Sequence, residues 1–174
     1  MTKYWYALHS HPNKEELLWQ QLMAREVEVF YPRIPANPVN PRARKIKPYF
    51  PGYLFINTDL EQAGISVFRW MPYATGLVMF GGEPAVVPEA LIYTVRQWVD
   101  EITRAGGEVL NEVKPGERVV IQDGPFAGYE AIFDVRLPGK ERVRVLLQML
   151  TRRSVPLELS AGQIQKKKPR QKTI

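Results

Sequence analysis

Apolar and polar positions change period several times along the chain, and each change marks a predicted element. Lys3 to His9 (Lys-Tyr-Trp-Tyr-Ala-Leu-His) is an aromatic-rich run that predicts an opening strand. After His11-Pro12, Asn13 with Glu16 three residues on has the form of a capping box, and Leu18/Leu22 and Trp19/Met23 at i,i+4 predict a first helix. Val27 to Tyr31 reads as a short strand stopped by Pro32. Pro32, Pro35, Pro38, Pro41 and Pro48 forbid regular helix or central strand between them, so this stretch is an extended loop. Tyr49 to Thr58 returns as a β run with a Pro51-Gly52 break, which makes the loop the tip of a long hairpin.

Leu77 to Phe80 predicts another strand, Gly81-Gly82 a turn, and Ala85 to Val87 a pairing segment before Pro88 opens a second helix. In that helix Leu91, Ile92, Val95, Trp98, Val99 and Ile102 share one face, and Gly106-Gly107 ends it. The order β, α, β, hairpin, β, α predicts an α+β class, with an antiparallel α/β sandwich over residues 1–105. Residues 106–115 are poor in large apolar side chains, are bounded by glycine and proline, and read as a linker. Beyond them, Glu117–Gln122, Glu130–Leu137, Arg142–Met149 and Ser154–Leu159 read as four short strands. A small all-β barrel over 116–165 follows, since an open sheet of that size leaves costly edges.

Charge adds two features to this outline. The 174-residue chain carries a net +6, yet Arg33, Arg42, Arg44, Lys45 and Lys47 form one acid-free basic stretch, and Lys166, Lys167, Lys168, Arg170 and Lys172 form another in a tail over 166–174. With those ten set aside, 14 basic residues face 18 acidic ones. The body is mildly acidic and bears two basic appendages, which read either as solvated segments or as phosphate-binding ones. The chain has no cysteine, which excludes thiol nucleophiles, disulfides and cysteine-ligated metal and suits a reducing cytoplasm. His9 and His11 are the only histidines; no metal site, cofactor or enzymatic constellation is expected from them, and no apolar run is long enough to span a bilayer.

Segments in both halves of the chain then carry a resemblance. Trp5-Tyr6-Ala7-Leu8, Phe50-Pro51-Gly52-Tyr53-Leu54-Phe55 and the run from Leu77 to Pro88 resemble the NGN domain of the NusG and RfaH family. Pro115 to Ile121 followed by Gly124-Pro125-Phe126-Ala127-Gly128 resembles the KOW motif of the SH3-like barrel that those factors carry. The resemblance implies a monomeric transcription elongation or antitermination factor that binds RNA polymerase clamp helices and suppresses pausing or termination. It implies an apolar polymerase-binding depression lined by Phe50, Tyr53, Phe55, Phe80, Ile92 and Val95, residues that read equally as sandwich core. It further implies contact of His11, Asn13, Lys14 and Arg25 with non-template or upstream DNA, beside the basic loop residues Arg42, Arg44, Lys45 and Lys47. A patch of Phe126, Phe133, Met149 and Leu150 would recruit Rho or a small-subunit ribosomal protein.

The chain departs from the family pattern at three places. Pro72-Tyr73-Ala74-Thr75 replaces a Pro-Gly-Val turn, and Arg69, Trp70 and Tyr73 offer a different stacking surface there. Ala131 and Met149-Leu150-Thr151 also differ, which points to a specialised RfaH-type paralogue. Arg144 to Arg153 reads as helix as well as strand, so an RfaH-like switch of this domain is a second expectation, although Val143, Val145, Val155 and Pro156 favour strands. The competing functional reading is an RNA-binding or ribosome-associated KOW module, which leaves the N-terminal half without a role.

Overall fold

The sheet is built from strands whose alternation sends successive side chains to opposite faces, and here both faces are apolar. The computed structural model describes residues 1–35, 42, 45–104, 119–121, 139–152 and 164–166. In chain order its elements are β1 (Tyr4–Ser10), α1 (Glu15–Ala24), β2 (Glu28–Phe30), β3 (Arg33–Pro35), β4 (Ile46–Pro48), β5 (Tyr53–Thr58), α2 (Leu60–Ala63) and α3 (Ile65–Arg69). These are followed by β6 (Ala74–Leu77), β7 (Met79–Phe80), β8 (Glu83–Pro84), β9 (Val86–Val87), α4 (Glu89–Arg104), β10 (Val119–Ile121), α5 (Gly139–Arg152) and β11 (Ile164–Lys166). The main sheet runs β2-β5-β1-β6, with β9 also paired to β1. All its pairings are antiparallel, with Leu8 opposite Leu54 and Trp5 opposite both Asn57 and Val87.

Trp5, Ala7, Phe30, Tyr53, Phe55 and Val87 point to one face, where Leu91, Ile92, Val95, Val99 and Ile102 of α4 meet them. Tyr6, Leu8, Leu54 and Ile56 point to the other, where Leu18 and Leu22 of α1 and Phe68 of α3 seal it. The predicted opening strand, hairpin and second helix are therefore present, and β3 pairs with β4 to extend the hairpin beyond the sheet.

Three local expectations change. Asn13 is no cap: it sits at φ 58, the N-cap position falls to Lys14 without a side-chain bond, and Glu16 instead faces Arg33. The short helices α2 and α3 were not expected; Asp59 starts α2 by accepting from the Glu61 and Gln62 backbone N–H groups. The third change is the largest. The strand expected over Arg142–Met149 is replaced by helix α5, so the all-β barrel does not hold for this segment. Arg142, Val145, Leu146, Met149 and Leu150 repeat at i, i+3, i+4, i+7 and i+8, the spacing of a helical face, and all five are buried. Of the other expected barrel strands, Glu117–Gln122 is represented by β10, which pairs with the unexpected β11 and thereby takes Lys166 out of the tail. Glu130–Leu137, Ser154–Leu159, the linker 106–115 and residues 167–174 lie outside the described residues.

Candidate functional site: an apolar face under a helix

Gly52, at φ +85, lets β5 leave the Pro51 turn and set Phe50 and Phe55 side by side. Their rings meet edge to face at 5.8 Å, Tyr49 is edge-on to Phe50 at 4.8 Å, and Phe30 stacks on Phe55 at 6.0 Å. With Ile92 and Val95 from α4 this makes one continuous apolar floor. Of the six residues expected in a polymerase-binding depression, Phe50, Phe55, Ile92 and Val95 are fully buried and Tyr53 and Phe80 half-buried. All six lie in or against a single cluster.

What covers the floor is α5. Val145, Leu146, Met149 and Leu150 join the same cluster, and Val143 packs at its edge. Met149 and Leu150, expected on a partner-binding patch of the barrel, are thus turned inward against the N-terminal domain. Their expected companions Phe126 and Phe133 lie outside the described residues. At the helix start, Gly139 sits so close to Pro51 that a Cβ would come within 2.5 Å of the proline ring. Three residues on, Arg142 is 2% exposed; its Nε donates to the Tyr49 carbonyl at 2.7 Å and its guanidinium centre lies 4.5 Å over the Tyr49 ring.

The rim of this contact is an open cleft of about 270 Å³ lined by His9, Tyr53, Gly76, Val78, Phe80 and Leu147. His9 and Tyr53 stack there at 4.7 Å with ring planes 10° apart. Burial lowers the pKa of His9, helped by neighbouring His11, and burial raises that of Tyr53. Beneath the rim, Glu15 of α1 is buried; its Oε1 accepts from the Gly52 N–H at 2.9 Å, while Oε2 has no hydrogen-bond partner among the described residues. Nothing in the sequence pattern singled out Glu15, whose role depends on the fold bringing it to Gly52.

The expected nucleic-acid residues divide into two groups. His11, Asn13 and Lys14 occupy the β1–α1 turn, where the His11 N–H donates to the Tyr73 carbonyl at 2.8 Å and joins this turn to the one before β6. Trp70 belongs to that second turn; it is 77% exposed, with the Arg69 guanidinium 5.5 Å from its ring centre. Arg25, by contrast, lies at the far end of α1, about 15 Å away along the helix axis, and bonds Gln21 at 2.6 Å. Arg42, Lys45 and Lys47 are exposed on the β3–β4 hairpin, and Arg44 lies outside the described residues. Arg33, from the same basic stretch, is used structurally: it covers Trp19 at 4.7 Å and Tyr31 at 5.1 Å and pairs with Glu16 at 3.5 Å. Among the described residues no three His, Cys, Asp or Glu side chains are grouped to hold a metal, and no helix is long and apolar enough to cross a membrane.

Comparison with known proteins places these features in context. Residues 3–96 match the NusG family, described as transcription termination factor nusG. The transcription termination/antitermination protein NusG of Pseudomonas aeruginosa is 26% identical over 95% of this chain and 99% of its own length. The protein of the same name from Deinococcus radiodurans is 26% identical over 95% of this chain and all of its own, 100%. A solved structure concerned with domain interaction in Thermotoga maritima NusG aligns with a TM-score of 0.41 at 25% identity, covering 75% of this chain and 78% of that one.

Proposed function

The chain belongs to the NusG family, and from that membership we propose that it is a transcription elongation and antitermination factor whose aromatic sheet face takes the clamp helices of RNA polymerase once α5 has left it. The observation that carries this reading is the seating of α5: an amphipathic helix already occupies the face that the family resemblance assigns to a helical partner. A surface that accepts one helix through Phe50, Phe55, Ile92 and Val95 has the shape and apolar character to accept another. In the closed form the two compete. Tyr53 and Phe80, left half-buried beside the cleft, give an incoming helix its first foothold.

Release of α5 would also free Met149 and Leu150 for a second protein, Rho or a small-subunit ribosomal protein, so one displacement opens two surfaces. Such gating suits an RfaH-type specialised factor, recruited only where a second signal helps it open. The signal proposed is DNA of the non-template or upstream strand. His11, Asn13, Lys14, Arg69 and the exposed Trp70 offer it cations and a stacking surface, and Arg42, Lys45 and Lys47 offer phosphate contacts.

Replacing Leu146 by Glu tests the reading, because a carboxylate is too costly to bury on the floor and the helix must leave. Leu146→Glu is expected to bind purified RNA polymerase at least about tenfold more tightly than wild type and to shorten pauses in transcription in vitro. If neither protein binds polymerase at low salt, the reading fails.

A further inference from the structure

We propose that the face under α5 selects a helix bearing a planar cation beside its apolar stripe, and that Tyr49 is the residue that reads it. The inference rests on the polymerase-binding reading above and adds the chemistry by which the partner is recognised: an amphipathic protein helix with an arginine at the edge that meets Tyr49.

Arg142 heads the largest fully buried side chains of the described residues. A buried guanidinium is costly unless its surroundings are built for it, so the place it occupies is informative. Two of its contacts come from Tyr49, the carbonyl at 2.7 Å and the ring face at 4.5 Å, and together they suit a flat cation with directed N–H groups. These contacts belong to the N-terminal domain. The Tyr49 N–H donates to the Pro32 carbonyl at 2.9 Å and its ring stands edge-on to Phe50, so both parts of this seat are fixed by the hairpin base and persist when α5 departs. An all-apolar helix laid on this face would trade a charge-assisted hydrogen bond for an apolar contact. A partner helix with an arginine there keeps both Tyr49 contacts in the exchange. α5 therefore displays the pattern its competitor needs: a cation, then apolar residues three, four, seven and eight positions on.

The experiment opens the protein in two ways, one sparing the seat and one spoiling it. Gly139→Val drives a side chain into Pro51 and dislodges α5 while leaving Tyr49 intact. Gly139→Val combined with Tyr49→Leu dislodges α5 and removes the ring face. Both full-length proteins are titrated against purified RNA polymerase, with α5 release in each followed by hydrogen exchange of residues 139–152. The single variant is expected to bind more tightly than wild type, and the double variant about tenfold more weakly than the single. Equal binding by the two overturns the inference and leaves the polymerase reading standing; no binding by either removes both.

Tyr49 is part of the core, so a second measurement avoids changing it. A peptide copying residues 139–152 competes with polymerase for the Gly139→Val protein, and the same peptide with Arg142→Met is expected to need about tenfold higher concentration. Equal potency of the two peptides also overturns the seat.

Discussion

The two faces of the β2-β5-β1-β6 sheet are equally apolar but are closed by helices of different origin. On the Leu8–Leu54 face the lids are α1 and α3, each joined by a short turn to a strand it covers, and Leu18, Leu22 and Phe68 complete the core. On the Phe50–Phe55 face α4 is equally local, but the rest of the cover is α5, whose Arg142 reaches Tyr49 across 93 residues of sequence. A local lid cannot leave without unfolding the domain. On the proposed function a remote one can, since β1 pairs with β5 and α4 packs on them through residues of their own. On that reading, the same kind of burial serves stability on one face and regulation on the other.

Changes that empty the same volume on each face should separate these roles most strongly. Leu54→Ala leaves a void between sheet and α1 and is expected to cost about 2–5 kcal/mol of global stability, read as a lower thermal midpoint. Leu146→Ala leaves a void beneath α5, and the expected response is undocking: faster hydrogen exchange in 139–152 with little change in the midpoint of the domain. Equal losses of midpoint would make the two lids equivalent and break the comparison.

Glu15 links the faces, since it starts α1 on one side and holds the Gly52 N–H at the rim of the other. Glu15→Ala is expected to cost about 1–3 kcal/mol and to speed exchange in α5 as well, because the Pro51 turn under Gly139 loosens. An effect on the domain alone would uncouple the two sides.

The cations proposed for phosphate contact on the β3–β4 hairpin are exposed, unlike the buried α5 contact. Converting Arg42, Lys45 and Lys47 together to Gln should flatten the salt dependence of DNA binding by roughly 2–3 in the log–log slope without altering exchange in α5. A simultaneous change in both would place the hairpin within the gate.

The smallest effect expected is from His9. Burial holds its pKa below the ordinary 6.5, so the unfolded chain takes up the proton before the folded one does. The stability that neutral His9 contributes is complete above 6.5 and is lost as pH falls from there through the lowered native value. Thermal midpoints should thus decline modestly on acidification below 6.5, and His9→Gln should flatten the decline. A decline unchanged in the variant would assign it to other groups.

Much of the local-lid architecture was legible in the sequence. The aromatic-rich runs Lys3–His9 and Tyr49–Thr58 announce β1 and β5, and the six-residue stripe from Leu91 to Ile102 announces α4. Gly52, Gly81 and Gly82 mark turns that adopt positive φ. The remote lid was ambiguous for a physical reason. Val143 and Val145 favour a strand, while the spacing of Arg142, Val145, Leu146, Met149 and Leu150 favours a helix, and contact with the floor decides between them. The apolar character of the face was legible, but its cover was not: Phe50 and Phe55 announce an apolar face without saying what sits on it. Arg33 looked like part of a basic loop because its stacking on Trp19 and Tyr31 depends on the fold.

Competition for one face is the central claim, and hydrogen exchange in α5 tests it most directly. With saturating RNA polymerase, the backbone amides of residues 139–152 should lose their protection while those of β1 and β5 keep theirs. Polymerase bound with protection in α5 unchanged would contradict the account.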